Sequence, residues 1–143
     1  MEVIYTIMST HVRPHRNLLV WQEAIDLVKL VYKVSNMLPK EEKFGIISQM
    51  RRAATSIPSN IAEGAARKTG REFLYFLHIS SGSISELDTL NVLIKELGFI
   101  KDPITIELEL KLDKVSALLN GLIAKRTKDV LSSYKNTNRL KQA

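Results

Sequence analysis

The 143-residue chain contains no cysteine, and this absence removes several classes of function. Without a thiol there is no disulfide, no thiolate zinc site and no cysteine nucleophile. No apolar stretch approaches the roughly 18 residues that a membrane-spanning helix needs. The first sixteen residues carry Glu2 and only a short apolar run, which makes a poor secretory signal. We therefore expect a cytoplasmic protein with no membrane partner.

Catalytic and metal-binding motifs are also missing. The chain has no HExxH zinc motif, no phosphate-binding P-loop and no glycine-rich dinucleotide motif after a strand. Glu63 and Glu86 are single carboxylates in helical stretches. Ion pairing with arginines such as Arg51 or Arg52 is the simpler role for them. The sequence predicts no enzyme, no catalytic residue, no cofactor and no metal site, and its three histidines are scattered: His11, His15 and His78.

The net charge of +6 is concentrated near the C-terminus. Residues 125–143 hold six Lys or Arg and one Asp, whereas residues 1–124 hold fifteen Lys or Arg and fourteen Asp or Glu. The helical pattern of apolar residues begins only near Asn17, and Met8 is an alternative start of translation. We divide the chain into a flexible N-terminal arm (1–16), a helical bundle (17–124) and a basic C-terminal helix extension and tail (125–143).

Apolar residues recur at helical spacing in four segments with short connections. Thr69 and Glu72 form a capping box that begins the third segment, and Gly98 ends it. Asp102 as N-cap and Pro103 as the first helical residue begin the fourth. No strand alternation competes, so the prediction is an all-α protein, an antiparallel up-down-up-down four-helix bundle. The predicted helices cover about 17–37, 42–67, 69–98 and 102–134, with fraying after Tyr134.

The first helix is apolar over more of its surface than an ordinary surface helix buries. Its two neighbouring stripes are Leu18, Trp21, Ile25, Val28, Tyr32 and Val20, Ala24, Leu27, Val31, Val34. Such a helix either sits deep in its bundle or also meets another subunit. In the second case, Trp21, Val28 and Tyr32 are candidate residues of the interface between subunits. Four residues of the second helix, on the strip away from its core stripe, are further interface candidates: Arg52, Ser56, Ser59 and Glu63.

Pro58 interrupts the second helix, where a proline costs about 3 kcal/mol. The apolar spacing continues through it without a change of phase, which favours one kinked helix over two. Thr55, Ser56 or Ser59 can satisfy carbonyls that the proline frees. The third helix has small residues at its middle as well, with Gly82 among four serines. This pattern favours close packing of the two helices inside the bundle, with a subunit interface or a backbone-lined binding surface as the alternative.

Basic residues form two clusters that an antiparallel bundle brings to the same end. One cluster is the connection between the second and third helices, and the other begins the basic extension. Phosphate contacts there would give affinity and salt dependence without sequence specificity. A solvated basic tail that aids solubility is the alternative. The candidate nucleic-acid-binding residues are Arg67, Lys68, Arg71, Lys125, Arg126, Lys128, Lys135 and Arg139.

Three stretches resemble the four-helix bundle family linked to 23S rRNA intervening sequences: LLVWQEAIDLVKLVY, RRAATSIPSNIAEG and REFLYFLHISSGSISELDTL. The resemblance covers about residues 17–100. It implies a small cytosolic bacterial bundle that assembles as a ring-shaped homo-oligomer, a homopentamer. Such a cyclic assembly would cover the second apolar stripe of the first helix. Accessory proteins of diversity-generating retroelements form a related group, and they bind nucleic acid and a reverse transcriptase. Those accessory proteins are basic throughout, whereas residues 1–124 of this chain are close to neutral. Nucleic-acid binding by this chain would therefore depend more on its C-terminal tail.

Two functions remain open from the sequence. The first is a non-enzymatic oligomer that binds RNA or DNA electrostatically, with a reverse transcriptase as a candidate protein partner. The second is an oligomeric protein-interaction scaffold without a nucleic-acid role. The sequence does not identify the nucleic-acid target, the protein partner or the number of copies in the ring.

Overall fold

Four α-helices make up most of the computed structural model, which describes residues 13–142. A 3₁₀ turn at Pro14–Asn17 precedes them, and a second one lies at Lys40–Glu42. No strand occurs in these residues, which confirms the all-α prediction. No helix within 13–142 combines the length and the apolar character that a membrane crossing requires. The helices are α1 (Leu19–Ser35), α2 (Ile46–Ala65), α3 (Gly70–Glu96) and α4 (Asp102–Gln142).

One hydrophobic core joins the four helices, each of which packs against two neighbours: α1 on α2, α2 on α3, α3 on α4 and α4 on α1. In α1, the stripe from Val20 to Val34 is buried in this core. Trp21 and Val28, expected at a subunit interface, are half-buried and pack against their own core. Tyr32 is exposed, with the Arg51 guanidinium 4.7 Å from its ring centroid. The second stripe of α1 is thus largely used within the subunit.

Small side chains bring α2 and α3 close together at mid-length, as the sequence predicts. Buried Ser80 donates a hydrogen bond across the interface to the carbonyl oxygen of Ile57 at 2.9 Å. Ser56 and Ser83 join through their hydroxyl oxygens, also at 2.9 Å. Side chain to backbone contact of this kind requires that no bulky residue separate the helices. Along this interface, residue numbers rise on α2 as they fall on α3.

Gly64 makes the same approach possible at the end of α2. A Cβ atom at this position would lie 2.8 Å from both Phe73 Cδ2 and Phe76 Cβ and 3.2 Å from the Phe73 carbonyl oxygen. Those distances are too short for a carbon contact, so any larger residue would force Phe73 and Phe76 to move. Gly64 therefore sets how closely the start of α3 lies against the end of α2.

α2 runs through Pro58 as one continuous helix, and the proline is buried. Its hydroxyl-bearing neighbours bond nearby carbonyls: Thr55 Oγ1 donates to Arg51 O at 2.9 Å, and Ser59 Oγ donates to Thr55 O at 2.7 Å. The Ser56 hydroxyl instead forms a hydrogen bond with the Ser83 hydroxyl of α3. These local bonds and the burial of the ring offset part of the cost of a proline inside a helix.

The predicted helix ends of α3 are confirmed. The Glu72 backbone N–H donates to Thr69 Oγ1 at 3.2 Å, which is the cap expected at the start of the helix. Gly98 has a φ of +73°, a conformation that favours glycine, and ends the helix. The expected cap of α4 is displaced by one residue, because the Lys101 carbonyl accepts the N–H groups of Ile104 and Thr105. Asp102 is already helical and pairs with Lys95 at 3.3 Å.

Two expectations about the chain ends are wrong. α4 does not fray after Tyr134 but continues to Gln142, with Ser133 and Thr137 hydroxyls bonded to carbonyls of the preceding turn.

Residues 13–16 are not a loose arm, because they pack as a 3₁₀ turn against α1 and α2. The His15 ring lies 5.0 Å from the Trp21 ring, and this contact docks the turn. The rest of the predicted arm, residues 1–12, lies outside the described residues.

We expect Gly64→Ala to lower the free energy of unfolding by about 1–2 kcal/mol, although alanine favours helix more than glycine does. The added methyl group forces α3 away from α2, and the strain outweighs the gain in helix propensity. Urea denaturation followed by circular dichroism measures the change. A Gly64→Ala variant as stable as the wild type would show that the two helices do not need this close approach.

Glu23 joins α1 to α4 through hydrogen bonds from Lys111 and Lys114, the latter at 2.9 Å. These bonds hold the pKa of Glu23 below its ordinary value of 4.5. The stability that they contribute is therefore present above the unfolded pKa and is lost as pH falls through the lower folded pKa. Glu23→Gln should be less stable than the wild type at pH 7, and the difference should shrink below about pH 4.

Glu109→Gln is the matched control, because Glu109 is exposed and has no ion pair within the described residues. Urea denaturation of the three proteins at pH 7 and at about pH 3 separates the effects. An equal loss of stability at both pH values would contradict a role for the ionised Glu23 carboxylate.

Candidate nucleic-acid interface

The connection between α2 and α3 lies directly against the basic extension of α4. The Arg126 guanidinium sits 5.2 Å from the ring centroid of Phe73, and that of Arg71 sits 5.2 Å from the ring of Tyr134. A Cβ atom on Gly70 would come within 3.0 Å of Val130. The structure therefore brings together the two basic clusters that the sequence predicts at one end. We call this surface the basic end; it comprises residues 13–16, 67–71 and 125–135.

Some predicted basic residues are engaged within the chain. Arg67 pairs with Glu63 at 2.7 Å and lies 4.8 Å from the Phe76 ring centroid. Arg126 lies 3.7 Å from Asp129. Both guanidinium groups keep part of their surface in solvent, and the arginine charge at the basic end is partly compensated.

Other predicted residues are more available to a ligand. They are exposed and form no ion pair among the residues that the structure describes. A phosphate group would not have to displace an existing partner from any of them. These residues are Lys68, Lys125, Lys128 and Lys135, with Arg139 one turn further along the extension.

Sequence reasoning missed the contribution of the segment before α1. Pro14 and Leu18 line a cavity of about 320 Å³ together with Lys68 and Arg126, so this segment belongs to the basic end. It brings two exposed arginines, Arg13 and Arg16, to the same surface. The signal in the sequence was the run VRPHRN followed by Trp21, but a contact between His15 and Trp21 is not visible in a helical periodicity.

An open groove of about 440 Å³ runs between the start of α3 and the extension of α4. Thr69, Gly70 and Arg71 form one wall, and residues 129–134 form the other. The groove combines a guanidinium, an aromatic ring and backbone close to the surface. Such a surface can contact phosphate and sugar groups.

The carboxylates considered for catalysis are engaged in ion pairs on the bundle surface. Glu86 forms an ion pair with Arg52 at 3.4 Å, as the sequence predicts. Glu63 instead forms its ion pair with Arg67. Within residues 13–142, no cluster of three His, Asp or Glu side chains is placed to hold a metal ion. His78 is exposed on α3.

The second set of predicted interface residues lies along α2 beside α3. Arg52 and Ser56 contact Glu86 and Ser83 of the same chain. Ser59 bonds its own backbone and stays exposed. These residues keep one subunit together, and a role for their outer surface between subunits stays a prediction.

Four α-helices around one core, with a basic end and no catalytic constellation in the described part, define a small helical-bundle protein. The chain belongs to the 23S rRNA-intervening sequence protein family, whose sequence pattern matches residues 16–121. This confirms the family resemblance. The matched region stops short of the basic extension of α4, which begins at Lys125.

A crystal structure with the same fold comes from Bacteroides thetaiotaomicron, from a protein of unknown function in the S23 ribosomal protein family. The TM-score is 0.69 and the sequence identity 21%, over 73% of this chain and 98% of that chain. This likeness shows a common fold. No curated protein matches the sequence.

We expect Tyr134→Ala to loosen the extension of α4, because the ring anchors it on Arg71. An exposed cation–π contact contributes about 0.5–1 kcal/mol, which corresponds to roughly two- to fivefold faster local opening. Limited digestion with trypsin measures this as the rate of cleavage after Lys128. Leu140→Ala is the control in the same extension, since Leu140 is 80% exposed and should leave the rate unchanged. Equal rates in both variants would contradict the anchoring role.

Proposed function

We propose that the protein is a non-enzymatic, cytoplasmic, oligomeric bundle that binds RNA or DNA electrostatically through its basic end. The observation that carries this proposal is the contact of two separate basic segments on one surface. Arg71 on Tyr134 and Arg126 on Phe73 hold the α2–α3 connection against the extension of α4. Membership in a family named after 23S rRNA intervening sequences supports RNA as the first ligand to test.

The α4 extension contributes most of the net positive charge. Residues 125–143 carry a net charge of +5, whereas the rest of the chain carries +1. As a continuous helix, the extension presents its cations at fixed spacing along one rod instead of in a flexible tail. Contacts of this kind bind the phosphate backbone and do not distinguish sequences. Specificity then has to come from the shape of the nucleic acid.

The proposed assembly is an antiparallel up-down-up-down bundle repeated in a closed ring, with a homopentamer favoured by the family resemblance. Short connections and the opposed numbering of contacts between α2 and α3 support the bundle topology. A ring would multiply one weak basic surface and raise the avidity for a long nucleic acid. A reverse transcriptase is a further candidate partner through the related retroelement proteins.

The test uses a variant with three exposed lysines of the extension replaced: Lys125→Gln, Lys128→Gln and Lys135→Gln. We expect weaker binding to a labelled fragment of 23S rRNA. If each lysine contacts one phosphate, the magnitude of the slope of log K against log salt should fall by about 2–3. Fluorescence anisotropy at several salt concentrations measures both quantities.

A matched control removes three exposed lysines from the opposite end of the bundle: Lys33→Gln, Lys40→Gln and Lys101→Gln. It changes the net charge equally and should bind as the wild type does. Equal losses in the two variants would show a general charge effect and would contradict a localised basic end. No binding by the wild type at low salt would favour the scaffold function instead.

A further inference from the structure

One cavity of the basic end is enclosed by several separate parts of the chain. Its volume is about 320 Å³, and its walls come mainly from the turn before α1, the α2–α3 connection, Phe73 of α3 and Arg126 of α4. Ligand sites in proteins begin at about 300 Å³. The cavity therefore has room for a phosphate group and the sugar that carries it. We call it the end cavity.

Three cationic side chains line the end cavity: Arg67, Lys68 and Arg126. No Asp or Glu is among the described residues that line it, whereas Asp129 lines the neighbouring groove. Glu63 pairs with Arg67 and Asp129 lies near Arg126, but both acids stay outside the lining. Lys68 is exposed and forms no ion pair within residues 13–142. The charge around the cavity thus favours an anion.

The Arg126 guanidinium has a hydrogen-bond donor that the described part of the chain does not use. Its Nε atom is buried and has no hydrogen-bond partner within residues 13–142. The guanidinium is held beside the Phe73 ring, 5.2 Å from the ring centroid. A buried donor without an acceptor destabilises the fold. Because Arg126 lines the end cavity, an oxyanion bound there can supply the acceptor.

The α2–α3 connection adds backbone donors on another wall. Lys68, Thr69 and Gly70 line the cavity, and their N–H groups donate to no backbone acceptor within residues 13–142. They lead into the first turn of α3, where the helix dipole favours negative charge. With the Lys68 ammonium and the Arg126 guanidinium, they give the cavity several donors for one anion.

The enclosure and the charge of the end cavity both favour the end of a nucleic-acid strand over its middle. A phosphate inside a strand carries two sugars, and both have to leave the cavity again, whereas a terminal phosphate carries one. A terminal phosphate has a charge of about −1.5 to −2 at neutral pH, and an internal phosphate has a single negative charge. Three cations that line one cavity suit the more highly charged group.

We propose that the end cavity binds the terminal phosphate of an RNA strand. The neighbouring groove shares Thr69 and Gly70 with the end cavity and contains the Tyr134 ring, which is 48% exposed. The sugar and base of the terminal nucleotide follow the phosphate into this groove, where an aromatic ring can stack on any base. This inference rests on the function proposed above and names the part of the RNA that the basic end recognises.

The test uses one short unstructured RNA in three forms: with a 5′-phosphate, with a 3′-phosphate and with hydroxyl groups at both ends. A fluorophore on an internal base leaves both ends free, and fluorescence anisotropy gives the three affinities. We expect the wild type to bind at least one phosphorylated form about tenfold more tightly than the hydroxyl form, because only a terminal phosphate makes the charged hydrogen bonds. The form that binds more tightly shows which end of the strand enters the cavity.

Lys68→Gln removes one cation of the end cavity from an exposed connection and should leave the fold intact. We expect its preference for the terminal phosphate to fall to about threefold or less. Arg126→Lys keeps the charge but loses the Nε donor, and it should lower the preference as well. Circular dichroism checks that both variants keep the helical content of the wild type.

Lys128→Gln is the matched control, because Lys128 is exposed on α4 and is not among the described residues that line the end cavity. It should weaken the binding of all three RNAs by the same factor and keep the wild-type preference.

Equal affinity of the wild type for all three RNAs would overturn this inference and leave electrostatic binding by the basic end intact. An equal fall of the preference in Lys68→Gln and Lys128→Gln would also overturn it, because the whole basic surface would then sense the added charge. No binding of any RNA at low salt would overturn the proposed function and this inference together.

Discussion

The close approach of α2 and α3 is the constraint on which the rest of the structure depends. Gly64 allows Phe73 and Phe76 to lie against the end of α2, and buried Ser80 reaches the backbone of Ile57. The short connection from Ala66 to Thr69 is held against the bundle as a consequence. Phe73 then supports Arg126, and Arg71 meets Tyr134. A packing requirement between two helices thus places the positive charges of three segments on one surface.

Much of this fold is predictable from the sequence because its signals are local. Apolar spacing places four helices, and Thr69 with Glu72 and Gly98 sets both ends of α3. Small residues at the middle of α2 and α3 predict their close contact, since a backbone approach of this kind tolerates few residue types. The basic end is predictable in outline, because the bundle topology alone brings the two basic clusters together.

The remaining features depend on contacts between distant segments. Asn136, Thr137 and Asn138 have weak helix propensity, so the sequence favours fraying, but packing of Val130 and Tyr134 on the start of α3 supports the helix before them. The contact between the His15 and Trp21 rings holds residues 13–16 against α1, and helical periodicity does not reveal it. Exposed apolar side chains are also spread over more helices than the periodicity indicates: much of the second stripe of α1 packs against its own core, while α3 and α4 carry exposed ones such as Tyr75 and Leu110.

Contact between nucleic acid and the basic end is the central claim. Hydrogen–deuterium exchange of the wild-type protein, with and without a 23S rRNA fragment, tests it most directly. Slower exchange at residues 67–74 and 125–135, with no change around Lys33–Lys43, is the predicted result. Protection around Lys33–Lys43, or bound RNA that leaves the basic end unprotected, would contradict it.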